Sequence, residues 1–256
     1  MHIALAGGTG LVGSLVAAEA RKRGHTVTPL ARAKGVDLVT GAGVQGAVNG
    51  ADAVIDVSNI GTLEKHASVS FFERVTHTLL AAEQQVGVER HIALSIVGVD
   101  RAPYAYYAGK RAQEVAIERA ETPWTILRAT QFHEFAPQIY ARARIGPLHL
   151  APKMRTQPIA AQEVAVRLVD LAETPTNGYV ELAGPREESL VEMIRRWARS
   201  TGITGWIPGV ALPGRLGRAQ RDGTLLPQPG AEIGTETFDE WLRRSTDTPP
   251  NPDRRR

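Results

Sequence analysis

Three polar side chains near the middle of the chain have types and spacing suited to moving a proton. Tyr106 and Lys110 are four positions apart, so a helix would place both on one face. A phenol is a weak acid with a reference pKa of about 10, and a nearby ammonium favours its ionised form. Ser95 ends a predicted strand and could bind a substrate carbonyl oxygen while Tyr106 supplies the proton. The trio predicts acid–base catalysis; a packed tyrosine with a solvated lysine is the alternative interpretation.

A glycine-rich segment near the start of the chain is the sharpest local signal. Residues 6–13 read AGGTGLVG and satisfy two phosphate-loop patterns, one through Gly7, Gly10 and Gly13 and the other through Gly8, Gly10 and Gly13. The segment follows a predicted strand and opens a predicted helix, where missing side chains let a diphosphate approach the helix amides. This context predicts a dinucleotide site. A glycine-rich turn without a ligand is the alternative.

The end of the second predicted strand indicates which dinucleotide is bound. An NAD site usually places an acid there for the ribose 2′-hydroxyl, but residues 30–34 read LARAK. A planar guanidinium at Arg32 suits a 2′-phosphate, which favours NADP(H), with NAD(H) still possible and an ordinary surface arginine as the alternative. Ser58 and Asn59 directly follow the fourth predicted strand, where either could bind a ribose or a phosphate.

Composition limits the possible functions. The chain has 256 residues, 43% of them hydrophobic and none of them cysteine, with a formal net charge of +3. One α/β domain in a reducing, cytoplasmic compartment is expected, without disulfides or thiolate metal sites. No apolar run is long enough to span a membrane, and interleaved acids argue against nucleic-acid binding. His133 and Glu134 lack a third ligand at sensible spacing, so no metal site is predicted.

Alternating strand-like and helix-like segments predict the positions of these residues. The expected strands are His2–Ala6, His25–Leu30, Val36–Val39, Ala53–Val57, His91–Ile96, Trp124–Arg128 and Tyr179–Leu182. Helical patterns lie between them, including one over Leu11–Arg23 and one over Tyr104–Glu121. This order predicts a Rossmann-type doubly wound parallel sheet over residues 1–245, with Pro29 awkward inside its strand. Residues 205–234 read as loop, and residues 246–256 as a disordered tail.

The chain resembles the atypical short-chain dehydrogenase/reductases, and within them the NmrA-like NAD(P)-binding group. The resemblance rests on GGTGLVG at the start, YYAGK at 106–110 and WTILRATQF at 124–132. It implies a seven-strand Rossmann domain with a small C-terminal substrate-binding part, formed by residues 132–160 and 184–245. It also implies a small-molecule substrate and a monomer or homodimer.

The resemblance further implies roles for individual residues. It places Gly7, Thr9, Gly10, Leu11, Val12 and Gly13 at the pyrophosphate, Arg32 near the adenosine phosphate, Ser58 and Asn59 along the cofactor, and Thr130 to Phe132 beside the nicotinamide. Tyr106 and Lys110 match the catalytic pair, with Lys110 also at the nicotinamide ribose, whereas Ser95 matches the serine less well. The expected function is NADPH-dependent reduction of a carbonyl, enone or quinone-like molecule. A non-catalytic dinucleotide sensor and an epimerase or dehydratase with bound NAD are the alternatives.

Overall fold

The computed structural model describes residues 1–146, 148–174 and 176–247, and its centre is a seven-stranded parallel sheet. Its strands are β1 (His2–Ala6), β2 (Thr26–Leu30), β3 (Ala53–Asp56), β4 (Arg90–Ile96), β5 (Trp124–Ala129), β10 (Gly178–Ala183) and β13 (Glu232–Ile233). Their spatial order is β2-β1-β3-β4-β5-β10-β13, and each neighbouring pair is parallel. The predicted Rossmann-type fold is confirmed.

Nine helices and six two-residue strands complete the described structure. The helices are α1 (Leu11–Lys22), α2 (Val44–Val48), α3 (Lys65–Val86), α4 (Tyr106–Glu118), α5 (Phe135–Arg142), α6 (Ala161–Glu173), α7 (Leu190–Ser200), α8 (Gly214–Asp222) and α9 (Phe238–Asp247). The short strands are β6 (Arg144–Ile145), β7 (Leu148–His149), β8 (Ala151–Pro152), β9 (Arg155–Thr156), β11 (Glu188–Ser189) and β12 (Gly209–Val210). They pair as β6 with β7, β8 with β12, and β9 with β11. No helix of the described residues is long and apolar enough to cross a membrane.

Helices cover both faces of the sheet because side chains alternate along each buried strand. In β1, Leu5 packs into a cluster with residues of α1 and α6, whereas its neighbours Ala4 and Ala6 pack against residues of α2 and α3. A separate hydrophobic cluster joins α5, α7, α8 and α9, with Phe238 at its centre, only 1% exposed. Apart from Ala102, the buried members of this second cluster lie in residues 136–154 and 190–242.

The predicted third strand at Val36–Val39 is wrong. A 3-10 turn at Arg32–Lys34 follows β2, and Gly35 then adopts a left-handed conformation, with φ of 76°. The Asp37 carboxylate accepts the backbone N–H groups of Val39 and Thr40, at 2.8 and 3.3 Å, so it takes up donors that a strand would use. Consequently β2 is an edge strand, pairing only with β1 in the described sheet, which explains why Pro29 is tolerated there.

The C-terminal region contains more regular structure than its composition indicates. Residues 205–234, expected to be loop, contain α8 as well as β12 and β13. β13 is the seventh strand of the sheet, in place of the strand that was predicted at Val36–Val39. The last helix runs to Asp247, two residues into the predicted tail, and residues 248–256 of that tail lie outside the described residues.

Candidate functional site

The glycine segment forms a tight turn between β1 and α1. Gly7 has φ of 78°, and a Cβ atom there would lie 2.6 Å from the carbonyl oxygen of Val57. A Cβ atom on Gly13 would overlap the carbonyl oxygen of Gly7. The Gly10 N–H donates to that same oxygen at 3.0 Å, which closes the turn. Gly7 and Gly13 are therefore required by the backbone itself, with or without a ligand.

Gly10 differs from these two glycines because its missing side chain faces space. A Cβ atom at Gly10 would meet only the Gly7 carbonyl oxygen, at 3.4 Å. Gly10 is the N-cap of α1, and no side chain of the described residues caps the helix amides that follow. Val12 is buried in the core and fixes this first turn. The result is an open cradle of main-chain donors that suits an oxyanion.

The cradle lies where the order of the sheet reverses. β2 and β3 flank β1 on opposite sides, so their carboxyl ends open a crevice beside the glycine turn, the usual ligand position in such sheets. Ser58 follows β3, and its N–H donates to Asp56 Oδ1 at 2.8 Å. Its hydroxyl is buried and has no hydrogen-bond partner among the described residues. A ligand hydroxyl or phosphate would satisfy it.

Arg32 begins the 3-10 turn after β2. Its side chain is exposed and forms no ion pair with another described residue. The guanidinium stands at the end of the strand next to β1, on the side away from β3. It can therefore reach the adenosine half of a dinucleotide whose diphosphate lies on α1.

Tyr106 is the first residue of α4 and lies at the same carboxyl edge of the sheet. Its phenol donates a hydrogen bond to Asn59 Oδ1 at 2.7 Å. Ala105 precedes it with φ of 51°, the one positive φ among the described non-glycine residues. Burial, with a smaller contribution from Tyr107, raises the pKa of Tyr106 well above its ordinary value. The phenol is therefore protonated at neutral pH, as a proton donor must be.

Lys110 does not face the phenol of Tyr106. Its ammonium is buried, donating to the carbonyl oxygen of Leu94 at 2.9 Å and to Gln113 Oε1 at 2.9 Å. It also lies 4.3 Å from the centre of the Phe72 ring. Burial lowers the pKa of Lys110 to about 8. The expected lowering of the Tyr106 pKa by Lys110 is wrong, because the lysine is directed into the sheet.

Ser95 is also separated from the tyrosine. It is 2% exposed, and its hydroxyl donates to Glu114 Oε1 at 2.7 Å beneath α4. The Glu114 carboxylate also accepts bonds from Arg128, at 2.8 and 2.7 Å. Ser95 thus belongs to a buried polar cluster between β4, β5 and α4. The structure brings Tyr106 and Asn59 together but not Ser95.

Comparison with known proteins shows the family of the chain. Residues 7–175 match the model of a family described as NAD(P)H-binding. The chain belongs to the NAD(P)H-binding family. No curated protein matches the sequence. The cofactor prediction, an NAD(P) dinucleotide, is confirmed by this match, and the open cradle and the unpartnered Ser58 hydroxyl fit such a group.

Solved structures share the fold over nearly the whole chain. A short-chain dehydrogenase/reductase superfamily protein from Agrobacterium tumefaciens with bound NAD is 16% identical, with a TM-score of 0.66 and 96% of each chain covered. An NADPH-dependent quinone oxidoreductase from Escherichia coli is 15% identical, with a TM-score of 0.65, covering 95% of this chain and 99% of that one. UDP-glucose 4-epimerase from Thermotoga maritima is 12% identical, with a TM-score of 0.73, covering 96% and 98%. The family match confirms the NAD(P)-binding part of the predicted resemblance, and these structures confirm its fold.

The remaining predicted site residues of this NAD(P)H-binding protein, Thr130 and Phe132, follow β5. Thr130 is buried, and its hydroxyl donates to the carbonyl oxygen of Gln157 at 2.6 Å. Phe132 is half-buried and pairs with Ile159 in an isolated bridge. His133 Nε2 lies 3.0 Å from the carbonyl oxygen of Glu236, against Phe238. No group of metal-binding residues is found among the described residues.

Sequence reasoning missed a buried relay beneath the site. Gln113 Nε2 donates to Asp56 Oδ2 at 2.8 Å, while its Oε1 accepts from Lys110. Asp56 in turn holds the Ser58 amide, so the relay connects the lysine to the loop after β3. Two signals could have revealed it. Gln113 stands three positions after Lys110 on one helix face, and Asp56 is a charge that ends an otherwise apolar strand.

Proposed function

We propose that the protein is an NADPH-dependent oxidoreductase that reduces a carbonyl, enone or quinone-like small molecule, with Tyr106 as the proton donor. The observation that carries the proposal is the protonated phenol of Tyr106, bound to Asn59 at the sheet edge that also holds the glycine cradle. Family membership supplies the dinucleotide, and the phenol supplies an acid beside it.

The binding roles follow from what each residue offers. The amides at the start of α1, between Leu11 and Gly13, would hold the diphosphate, with the Thr9 hydroxyl exposed beside them. The Ser58 hydroxyl would accept or donate one bond to the bound dinucleotide, and Arg32 would bind a 2′-phosphate. The edge of Phe132 would border the nicotinamide, while Thr130 supports that wall through Gln157.

The chemistry of the reaction requires one hydride and one proton. When bound, the reduced nicotinamide supplies the hydride to the substrate carbon. Tyr106 donates its phenolic proton to the substrate oxygen, so a carbonyl becomes an alcohol and the tyrosine becomes an anion that solvent reprotonates. Asn59 Oδ1 also accepts the Ile60 N–H at 2.7 Å, so its oxygen is fixed and positions the phenol. Lys110 has a positioning role. Its hydrogen bond to Leu94 holds α4 against β4, and it is the first member of the relay that reaches Asp56 through Gln113.

A non-catalytic dinucleotide sensor is the second candidate. It is favoured by the hydrogen bonds of the Lys110 ammonium, which go to Leu94 and Gln113, and by the raised pKa of Tyr106, since both leave the tyrosine a weaker acid. A phenol with a raised pKa can still donate a hydrogen bond to an oxygen atom of a ligand. The sensor would keep the cradle and use Tyr106 only to order the loop after β3.

The deciding experiment measures NADPH oxidation against a panel of quinones, enones and ketones. Tyr106→Phe keeps the ring and removes only the acid, and Tyr107→Phe is the matched control on the adjacent residue. We expect Tyr106→Phe to reduce kcat about 100-fold or more while the NADPH Kd stays unchanged. Turnover that survives Tyr106→Phe would contradict the proton-donor role. NADPH binding without turnover of any substrate would favour the sensor.

A further inference from the structure

A cleft of about 590 Å³ opens beside the loop between β4 and α4, which leads into Tyr106. Arg101 and Tyr104 of that loop form one wall, and α8 with the residues after it forms the other. Four guanidinium groups line the cleft, those of Arg101, Arg215, Arg218 and Arg221. The carboxylate among its lining residues is that of Asp222. We refer to this site as the arginine cleft.

No carboxylate of the described residues forms an ion pair with these arginines. Arg101 donates to the carbonyl oxygens of Thr224 and Leu226, at 3.1 and 2.9 Å, and Arg221 donates to a third carbonyl oxygen. These bonds fix the guanidiniums without neutralising their charge. Arg215 and Arg218 are exposed, one helical turn apart on α8. The cleft therefore holds uncompensated positive charge.

Asp222 is directed to its own loop. Its Oδ1 accepts the hydroxyl and the N–H of Thr224, at 2.6 and 3.0 Å. The hydroxyl bond, the N–H bond and the charge of Arg218 together hold the pKa of Asp222 below its ordinary value. The four arginines and this one carboxylate together give the lining of the cleft three net positive charges.

A neighbouring cleft shows the usual arrangement for comparison. It has a volume of about 830 Å³ and is lined by Arg155, Arg195 and Arg221, the last of which it shares with the arginine cleft. There Arg155 pairs with Glu187 at 2.6 Å and Arg195 pairs with Glu192 at 2.8 Å. Two of its three arginines are therefore paired with carboxylates of the described residues, whereas none of the four arginines of the arginine cleft is.

The arginine cleft is distinct from the site for a cofactor 2′-phosphate. Arg32 follows β2, whereas Arg101 follows β4, which lies three strands away in the sheet. At about 4.8 Å between strands, β2 and β4 are separated by roughly 14 Å. The cleft is on the β4 side of the glycine cradle, and Arg101 and Tyr104 in its wall belong to the loop that leads into Tyr106.

The cleft wall is also held firmly in place. A Cβ atom on Gly98 would lie 2.9 Å from the carbonyl oxygen of Thr224, so the two loops are in close backbone contact. Leu225 is fully buried between them. Because these contacts fix Arg101, its guanidinium is oriented before any ligand arrives.

We propose that the arginine cleft binds the phosphate or diphosphate group of the substrate. Planar guanidiniums form paired bonds with phosphate oxygens, and three net positive charges match a multivalent oxyanion. That the ligand is a substrate rests on the proposed function; that the cleft binds an oxyanion does not. The reducible carbonyl of such a molecule would extend from the cleft toward Tyr106.

Titration of the full chain with inorganic pyrophosphate by calorimetry tests the site. The test variant Arg215→Gln/Arg218→Gln removes two exposed guanidiniums without breaking a hydrogen bond between described residues. Arg21→Gln/Arg74→Gln is the matched control, since it removes the same charge from exposed positions of α1 and α3. We expect the test variant to weaken pyrophosphate binding at least about tenfold and the control to change it less than about twofold.

A third variant separates this site from the cofactor cradle. Gly10→Val fills the cradle, and we expect it to lower NADPH affinity while leaving pyrophosphate binding in the arginine cleft unchanged. Loss of pyrophosphate binding in Gly10→Val alone would place the anion in the cradle and overturn the proposal, as would equal weakening by the two double variants. If pyrophosphate binding depends on Arg215 and Arg218 but NADPH does not bind, the oxyanion site stands and the proposed function fails.

Turnover then distinguishes a substrate group from free phosphate. Two ketones that differ only in a phosphate ester are compared in wild type and in Arg215→Gln/Arg218→Gln. We expect the double variant to raise KM at least about tenfold for the phosphorylated ketone, with KM for the neutral one unchanged. Equal KM values for both ketones in wild type would overturn the substrate assignment.

Discussion

The phenol of Tyr106 donates to Asn59 Oδ1 across 2.7 Å, and this bond joins the start of α4 to the loop after β3. Both residues stand at the carboxyl edge of the sheet, at the ends of elements that are not adjacent in sequence. The bond orients the acid and, because it is donated by the phenol, it favours the protonated form.

Asn59→Ala should therefore misplace the acid without removing it. We expect kcat to fall about tenfold, with the NADPH Kd changed less than about twofold, because the phenol loses its fixed partner. Steady-state kinetics and NADPH titration at neutral pH, where the phenol is protonated in both proteins, measure the two constants. An unchanged kcat would mean that Asn59 does not position Tyr106.

Substitution of Gly10 should mainly reduce NADPH affinity, whereas substitution of Gly13 should mainly reduce the stability of the fold. Gly10→Val should cost about 1 kcal/mol of unfolding free energy, a typical loss for an apolar N-cap, but should reduce NADPH affinity at least about tenfold. Gly13→Ala should destabilise the fold by about 3 kcal/mol, because its Cβ overlaps the Gly7 carbonyl oxygen. Denaturant unfolding and fluorescence titration with NADPH separate the two losses. Normal NADPH binding by Gly10→Val would contradict the open cradle.

The cradle could be predicted from sequence because its requirements are local. Three glycines between an apolar strand and a helix determine the backbone, and the structure shows that turn. The Rossmann-type order was predictable for the same reason, since strand and helix periods are properties of short segments. The prediction of a third strand was wrong because the strand pattern of the four residues after Gly35 is too short to outweigh the turn that the Asp37 carboxylate stabilises.

The orientation of side chains on α4 could not be read from spacing. Tyr106 and Lys110 are four positions apart on the helix. The direction in which the lysine extends depends on its hydrogen bonds to Gln113 of the same helix and to the carbonyl oxygen of Leu94 in β4. Ser95 is similar, because Glu114 and Arg128 surround its hydroxyl from another helix and strand.

The buried Lys110 gives the protein a characteristic pH dependence. Burial lowers its pKa from 10.5 to about 8 in the folded state, so between these values the unfolded chain binds the extra proton. Stability from this group therefore rises with pH across that window, by up to about 1.4 kcal/mol per pH unit. In Lys110→Met this rise should be absent. Denaturant unfolding at pH 8, 9 and 10 for both proteins measures it, and parallel pH curves would contradict a lowered pKa.

Arg32 should determine which dinucleotide the cradle prefers. It is exposed, starts a 3-10 turn after the edge strand, and has no ion-pair partner among the described residues. Arg32→Asp should weaken NADPH binding about 10- to 100-fold, because a charge-assisted bond is replaced by repulsion of the 2′-phosphate. NADH affinity should be unchanged or improved, since a carboxylate there can accept the 2′-hydroxyl. Lys34→Asp, two residues further along the same turn, controls for the general loss of positive charge. If the two variants reduce NADPH affinity equally, the preference comes from local charge and not from a specific contact of Arg32.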